Sequence, residues 1–186
     1  MKNYLVTYED ALEMVKVYKD FNFSKSEYMI DGFKVVSFGY FLCDYSHFIN
    51  PLNTRPEVNG LDMRGVTFVF NKDGSLYKRF FMLKKFFNLN QVESTQYGVV
   101  KDKKIRSVTN KEDGSLIAFM HLPNDVVFAK TIGGFTNEQS VAAMKLYKEN
   151  TQINIAVKAL LYMDILHCLN MFHGITELFL NIQNQN

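Results

Sequence analysis

The apolar and polar positions first follow a helical period and then a strand period. Residues 7–10 have the pattern of a capping box, and apolar residues follow at helical spacing, which predicts a first helix over residues 7–20. The pair Asp31-Gly32 then separates two apolar runs. This arrangement predicts a hairpin with a tight turn, whose second strand covers residues 33–38.

The middle of the chain continues with strand-like runs. Residues 50–63 contain two of the three prolines and are predicted to form a loop. The run 64–70 and its partner 76–83 flank an Asn-Lys-Asp-Gly turn, so they predict a second hairpin. A further strand is predicted over residues 101–108.

The last third of the chain returns to helical spacing. Its predicted elements are a hairpin of strands 116–121 and 126–130, a helix with a capping box that covers residues 136–149, a helix over residues 153–171 and a strand over residues 175–182. The whole pattern predicts an α+β fold of mainly antiparallel strands, with an N-terminal helix and later helices. We expect residues 1–186 to form one domain.

Composition limits the function classes. Hydrophobic residues make up 47% of the chain and charged residues 22%, as in soluble globular proteins. There is no apolar run of membrane-spanning length and no signal-peptide pattern, so we expect a cytoplasmic protein. The four histidines show no metal-ligand spacing. The net charge of +2 gives no global attraction for nucleic acid, and any site for a polyanion must be local.

The most informative segment is 110–116, which places Lys111 in an acidic-glycine turn between two apolar runs. A lysine with a pKa of about 10.4 is neutral in only about one molecule in 2,500 at pH 7, so a nucleophilic lysine needs desolvation or neighbouring cations. Basic residues stand just upstream, within residues 101–106. Gly114 permits a tight turn, and Asp113 can bind the turn backbone or help to hold a metal ion.

An ordinary hairpin turn is the alternative interpretation of this segment. Residues 71–76 carry the same Asp-Gly-Ser-Leu ending, and there Lys72 is adjacent to the aspartate rather than two positions before it. We expect Lys72 to belong to a plain hairpin turn. The pattern around Lys111 therefore needs support from other parts of the chain.

Three strings supply that support: Met-Arg-Gly-Val-Thr-Phe at 63–68, Lys-Lys-Phe-Phe-Asn-Leu-Asn at 84–90 and Lys-Glu-Asp-Gly-Ser-Leu at 111–116. With them the chain resembles the bacteriophage T4 RNA ligase 1 family of the covalent nucleotidyltransferase superfamily, from about Phe33 to about Glu177. The resemblance implies a nucleotidyltransferase domain of the ATP-grasp-like ligase kind. It also implies ATP and Mg²⁺ as cofactors, RNA repair as the role and, for a phage-encoded protein, the host cytoplasm as the location.

The resemblance also implies a mechanism and a set of roles. Lys111 attacks the α-phosphorus of ATP, the lysyl-AMP passes AMP to an RNA 5′-phosphate, and an RNA 3′-hydroxyl displaces AMP. Arg64 contacts the nucleotide phosphates and Lys85 the outer phosphates. Phe38 lies close to the nucleotide, and Glu177 binds the ribose hydroxyls. For these last four residues the alternatives are a surface arginine, a solvated lysine, a core ring and a surface carboxylate.

The chain departs from the family pattern in two places. Where the family has Ser-Lys-Gly after the lysine turn, the chain has Lys130 followed by Ile132 at the family lysine's place, and we expect Lys130 to substitute as a phosphate contact. The family's later glutamate and Lys-x-Lys string are not found before residue 186. We therefore expect an N-terminal, incomplete adenylyltransferase domain with little ligation by itself. Its origin stays open among an expressed fragment, the first half of a split gene, a truncated relative and a decayed copy, and in the split-gene case a separate polypeptide supplies the missing motifs.

Two other functions remain open. The first is a non-catalytic module for RNA ends or nucleotides, which would use Lys78, Arg79, Lys84, Lys85 and the basic residues of 101–106. The second is DNA joining or guanylylation of RNA caps, which the string at 84–90 disfavours.

Overall fold

The computed structural model describes residues 5–17, 23–43, 45–49, 52, 55, 58, 60–83, 85–105, 107–108, 114–163, 166–172 and 175–183, with the backbone alone at 46–47 and 166–183. The helices are α1 (Tyr8–Val17), α2 (Tyr97–Val100), α3 (Glu138–Glu149) and α4 (Thr151–Tyr162). The strands are β1 (Phe23–Ile30), β2 (Phe33–Tyr40), β3 (Thr67–Phe70), β4 (Leu76–Phe80), β5 (Ser115–His121), β6 (Val127–Lys130), β7 (Leu166–Phe172) and β8 (Ile175–Gln183).

The strands form two four-stranded antiparallel sheets. The first sheet has the order β1-β2-β3-β4 and the second has the order β6-β5-β7-β8. The predicted α+β class with antiparallel strands and an N-terminal helix is therefore confirmed. None of the helices in the described part of the chain has the length and the apolar run that a membrane crossing needs.

Three apolar clusters pack the helices and the two sheets onto one another. The ring of Tyr8 on α1 packs edge-on against Phe68 of the first sheet, with centroids 5.4 Å apart. The opposite face of that sheet contributes Val35 to a core that it shares with Met120 of the second sheet. The far face of the second sheet packs against α3 and α4, where Ile117 is fully buried. The order is thus helix, sheet, sheet, helices.

The capping box predicted for the first helix is present. The backbone N–H of Thr7 donates to the carboxylate of Asp10 over 2.9 Å, and the Asp10 N–H donates to Thr7 Oγ1 over 3.2 Å. The same carboxylate is nearly buried and pairs with Arg55 at 2.7 Å. The Asp31-Gly32 turn is also confirmed, since both residues have positive φ, as a tight hairpin turn of this kind requires.

Other predicted boundaries are wrong in detail. The loop predicted over 50–63 ends in a 3₁₀ turn at Gly60–Met63, and the strand predicted from residue 64 begins at Thr67. Helix α3 is capped by Asn137, whose side chain accepts a hydrogen bond from the Ser140 N–H, so its capping residue is not Thr136.

The strand predicted over 101–108 is absent from the described residues of that range. They follow the short helix α2 as irregular backbone and are exposed. The reason is physical: successive lysines at 103 and 104 break the alternation that would give a strand one apolar face.

The helix predicted over 153–171 is correct only to Tyr162. Residues Leu166–Phe172 form β7, which pairs with β5 from Ser115 to Ala118. An apolar run of this length fits a helix or a buried strand equally well, and the pairing with β5 decides between them. The predicted last strand is confirmed as β8, which pairs with β7.

Candidate functional site

A cleft of about 360 Å³ opens where the ends of β1 and β2 meet the turn that follows β6. The polar side chains in its lining all carry hydroxyl groups and belong to the first sheet. Its lining residues are Ser24, Ser26, Tyr28, Ser37, Phe38, Gly39, Tyr40, Phe41, Ile132, Gly133 and Gly134. Among the described residues, none that line the cleft is charged, so we look for charge in the residues beside it.

Two of the predicted phosphate-binding residues lie beside Tyr40 at the end of this cleft. The amine of Lys85 lies 5.7 Å from the centroid of the Tyr40 ring, and also contacts the rings of Phe48 at 5.9 Å and Phe87 at 5.5 Å. These rings attract the ammonium group through their electron-rich faces. Lys85 is therefore held in place rather than extended into solvent.

Arg64 is the second of these residues. Its guanidinium donates a hydrogen bond of 3.2 Å to the carbonyl oxygen of Leu83. Burial raises the pKa of the Tyr40 phenol above its ordinary value, and the positive charge of Arg64 acts in the opposite direction. The structure thus places the Lys85 amine over the Tyr40 ring and the charge of Arg64 within electrostatic range of the Tyr40 phenol.

Lys130 lies behind the wall of the cleft, between the two sheets. Its side chain is completely buried (0% exposed). The amine donates to Ser37 Oγ, to the carbonyl oxygen of Gly65 over 3.0 Å and to Thr67 Oγ1 over 3.2 Å. Ser37 also lines the cleft, so its hydroxyl group connects the buried Lys130 amine to the site.

Gly65, next to Arg64, is a position that only glycine fits without strain. Its φ is +83°, and a Cβ built there would lie 2.5 Å from Met82 Sδ. An L-residue disfavours this backbone region, and the added atom would also overlap the methionine. The Arg-Gly string therefore has a structural reason: the glycine lets the chain turn so that its carbonyl oxygen meets Lys130.

Two phenylalanines border the cleft, and they differ in exposure. The sequence predicted Phe38 as the aromatic residue close to the nucleotide. Phe38 is 1% exposed and packs edge-on against Phe68, with centroids 5.7 Å apart, so most of its ring belongs to the core. Phe41 also borders the cleft and is 76% exposed. Sequence reasoning missed Phe41, although its place directly after the end of an apolar strand was a usable signal.

The predicted nucleophile Lys111 and its neighbour Asp113 lie outside the described residues. Gly114 is described and precedes β5. Ala118 of β5 pairs with Lys130 of β6, so the antiparallel register puts Gly114 at the same end of the second sheet as the turn 131–134 that lines the cleft. Glu177 lies on β8, where only the backbone is described.

The remaining cations predicted to hold RNA have different surroundings. Arg79 donates to the carbonyl oxygen of Val6 over 2.6 Å and lies over the ring of Phe81 at 4.9 Å, so it supports the start of α1. The Lys78 amine lies 5.2 Å from the Phe80 centroid. By contrast, Lys101 is exposed, and Lys84 lies outside the described residues.

Lys72 lies in an ordinary hairpin turn, as predicted. Ser75 donates from its N–H to Asp73 Oδ1 over 2.9 Å, Gly74 has a φ of +86°, and β3 and β4 pair on either side. Hydrogen bonds from the Ser75 hydroxyl, over 2.6 Å, and from the Ser75 N–H hold the pKa of the Asp73 carboxyl below its usual value. The Asp-Gly-Ser-Leu string of residues 73–76 therefore forms a turn that leads into β4, which begins at Leu76.

A magnesium ion would need oxygen ligands. Among the described residues there is no group of three or more histidine, cysteine, aspartate or glutamate side chains that could hold a metal ion.

Comparison with known proteins gives one clear result. The family model described as RNA ligase, that of the T4 RNA ligase 1 family, matches residues 62–164, which is more than half of the chain. The match includes Arg64, Lys85, Lys111 and Lys130. Among the curated proteins, none matches the chain. On the family match, the chain belongs to the T4 RNA ligase 1 family of RNA ligases.

Proposed function

We propose that the chain carries the adenylyltransferase chemistry of an ATP-dependent RNA ligase, with Lys111 as the nucleophile. The neutral Lys111 amine forms a bond to the α-phosphorus of ATP, the bond from that phosphorus to the bridging oxygen breaks, and pyrophosphate leaves. The AMP then passes to an RNA 5′-phosphate. An RNA 3′-hydroxyl finally attacks that phosphate and releases AMP, which seals the strand.

One observation carries the proposal: a hydroxyl-lined cleft between two sheets has the Lys85 amine over one of its rings and the charge of Arg64 within electrostatic range of the same ring. Lys85 lies over Tyr40, Arg64 acts on the charge of the Tyr40 phenol, and the chain enters β5 from the Lys111 side at the same end of the second sheet. Displacement at a triphosphate develops charge on the phosphate and leaving oxygens. Preorganised cations stabilise that charge, and arginine suits paired contacts to phosphate oxygens.

The other groups take supporting roles in the proposal. Phe41 forms the exposed apolar side of the nucleotide site with Phe38 packed in the core behind it, and Glu177 accepts hydrogen bonds from the ribose hydroxyls. Gly114 and Asp113 shape the turn that presents the lysine. Mg²⁺, when bound with ATP, supplies positive charge to the phosphate oxygens.

The buried state of Lys130 favours a second candidate, a non-catalytic module that binds RNA or nucleotides. Its amine donates to three protein acceptors, and in this candidate the lysine holds the sheets together without contacting a phosphate. A binding module of this kind keeps the fold and the exposed cations. It binds RNA in a salt-dependent manner and transfers no nucleotide.

Intact-mass measurement after incubation with ATP and Mg²⁺ separates the two functions. We expect an added AMP on the wild-type protein, none on Lys111→Ala, and an unchanged yield for Lys72→Ala, the lysine of the ordinary hairpin turn. A folded wild-type protein without the adduct would contradict the catalytic proposal, and salt-dependent RNA binding by that protein would support the module. Replacing ATP with GTP tests the choice of nucleotide.

A further inference from the structure

The segment 85–105, which we call the basic loop, connects two residues of the proposed nucleotide site. It begins at Lys85 beside Tyr40, and the chain reaches Lys111 a few residues after it ends. It contains four lysines and two acidic residues, a net charge of +2, which equals the net charge of the entire chain. The rest of the protein is thus electrically balanced, and the excess positive charge lies in the segment of chain between Lys85 and Lys111.

The basic loop has a defined shape although little of it is buried. Phe87 packs against Tyr45 with centroids 5.1 Å apart, which anchors its start. Asn90, with a φ of +63°, accepts at Oδ1 a hydrogen bond of 2.8 Å from the Tyr97 N–H, and its own N–H donates to the Thr95 carbonyl oxygen over 2.8 Å. A loop fixed in this way presents its outward side chains without a large ordering cost on binding.

The outward side chains combine an aromatic ring with cations. Tyr97 is 62% exposed, and the Lys101 N–H bonds to the Tyr97 carbonyl oxygen over 2.9 Å, so the two side chains lie one helical turn apart on one face. Lys103 and Lys104 follow and are exposed. Within the described part of the chain, no ion pair engages these three lysines.

We propose that the basic loop binds the single-stranded RNA next to the end that is to be joined. Tyr97 stacks on a base, and Lys101, Lys103 and Lys104 contact the phosphates, which is the combination that proteins use for single strands without sequence preference. The inference rests on the proposed function, since ligation requires an RNA end at the nucleotide site. The exposed apolar residues Phe86 and Leu89 extend the surface, and the excess of cations favours RNA over a protein partner.

Fluorescence anisotropy of a labelled 5′-phosphorylated single-stranded RNA, at several salt concentrations and without ATP, tests the inference. We expect the triple variant Lys101→Ala/Lys103→Ala/Lys104→Ala to reduce the slope of log affinity against log salt by about 2, at about 0.7 for each lost phosphate contact. The control Lys145→Ala/Lys148→Ala/Lys158→Ala removes the same charge from exposed positions on α3 and α4. It should leave the slope unchanged, and equal slopes for the two triple variants would overturn the inference.

The role of Tyr97 is tested separately. We expect Tyr97→Ala to weaken RNA binding by about fivefold or more and Tyr97→Phe to keep the wild-type affinity, because the ring and not the hydroxyl stacks. Wild-type affinity in Tyr97→Ala would overturn the stacking role. Sedimentation that shows self-association of the wild type, lost in Tyr97→Ala without a change in RNA affinity, would make the surface a protein interface and overturn the RNA inference.

The adduct measurement distinguishes this inference from the proposed function. If the wild-type protein gains no AMP but the two triple variants differ in RNA binding as expected, the catalytic proposal fails and the RNA surface stands. If the wild-type protein gains AMP while the two triple variants bind RNA equally, the catalytic proposal stands and the RNA surface fails.

Discussion

The side-chain amine of Lys130 donates a hydrogen bond of 3.0 Å to the backbone carbonyl oxygen of Gly65, and this bond joins the two sheets. Lys130 ends β6 in the second sheet, whereas Gly65 precedes β3 in the first. The same amine also bonds Ser37 and Thr67, both buried in the first sheet. A buried cation therefore links the sheets directly behind the cleft, where their separation sets the shape of the site.

Replacing Lys130 should destabilise the protein. We expect Lys130→Met to lower the free energy of unfolding by about 2–3 kcal/mol, because it leaves buried oxygen acceptors without a donor. Urea denaturation measures the change, and Lys145→Met, at an exposed position on α3, should change it by less than about 0.5 kcal/mol. Unchanged stability together with a loss of AMP transfer would mean that the amine contacts the nucleotide instead.

Gly65→Ala should cost more stability than Gly74→Ala. Both glycines have similar positive φ values, +83° and +86°, so both variants place alanine in a disfavoured backbone region. Only at Gly65 does the new Cβ meet an atom, Met82 Sδ at 2.5 Å, whereas nothing lies within 4 Å of it at Gly74. We expect about 1 kcal/mol for Gly74→Ala and at least about twice that for Gly65→Ala, by urea denaturation. Equal costs would mean that Met82 moves aside freely.

Much of the fold follows from local patterns, and the errors arise where distant contacts decide. The hairpin at Asp31-Gly32 and helix α1 depend on neighbours in sequence, so turn and capping residues sufficed to predict them. Strand β7 depends on pairing with β5, about 50 residues away in sequence, which no local apolar pattern reveals. In the range 101–108, where a strand was predicted, the described residues are apolar at too few positions to form a buried face, and they form no strand.

The candidate site could be predicted only in part, because some of its residues come together through contacts between distant segments. The strings that contain Arg64 and Lys85 predict both residues as candidates, and the structure places the Lys85 amine over Tyr40 and the Arg64 charge within electrostatic range of its phenol. Tyr40 itself was missed, because its place at the site comes from contacts with Phe48 and Lys85, which lie on other segments of the chain. The burial of Lys130 was also not predictable, since a lysine is rarely buried and the acceptors lie on another sheet.

Lys85 should matter for AMP transfer but not for folding. We expect Lys85→Ala to slow formation of the AMP adduct by about a hundredfold, because it removes one fixed cation from the developing charge. Lys72→Ala is the matched control, since the Lys72 amine lies 5.1 Å from the centroid of Phe33, which begins β2, whereas Tyr40 ends it. The intact mass of samples quenched at successive times gives the rate of adduct formation. Urea denaturation should show only a small loss in the free energy of unfolding for both variants. Equal adduct rates would remove Lys85 from the site.

Tyr40 gives a prediction about alkaline pH. Burial raises the pKa of its phenol, so the folded state keeps the proton at pH values where the unfolded state has lost it. The contribution of Tyr40 to stability should therefore fall as the pH rises above about 10 and stop falling above the folded-state pKa. Unfolding free energies of the wild type and Tyr40→Phe, compared between about pH 8 and pH 11, measure this effect. A difference that stays constant with pH would contradict the raised pKa.

Phe38 and Phe41 should separate stability from nucleotide binding. Phe38 packs in the core against Phe68 and Tyr8, so Phe38→Ala should lower the free energy of unfolding by about 3–5 kcal/mol. Phe41 is exposed at the cleft, so Phe41→Ala should change stability by less than about 0.5 kcal/mol but weaken ATP binding severalfold through the lost ring contact. Phe41→Tyr should keep the wild-type affinity for ATP, because it keeps the aromatic ring. Calorimetric titration with ATP tests this directly, and wild-type affinity in Phe41→Ala would show that the nucleotide lies elsewhere in the cleft.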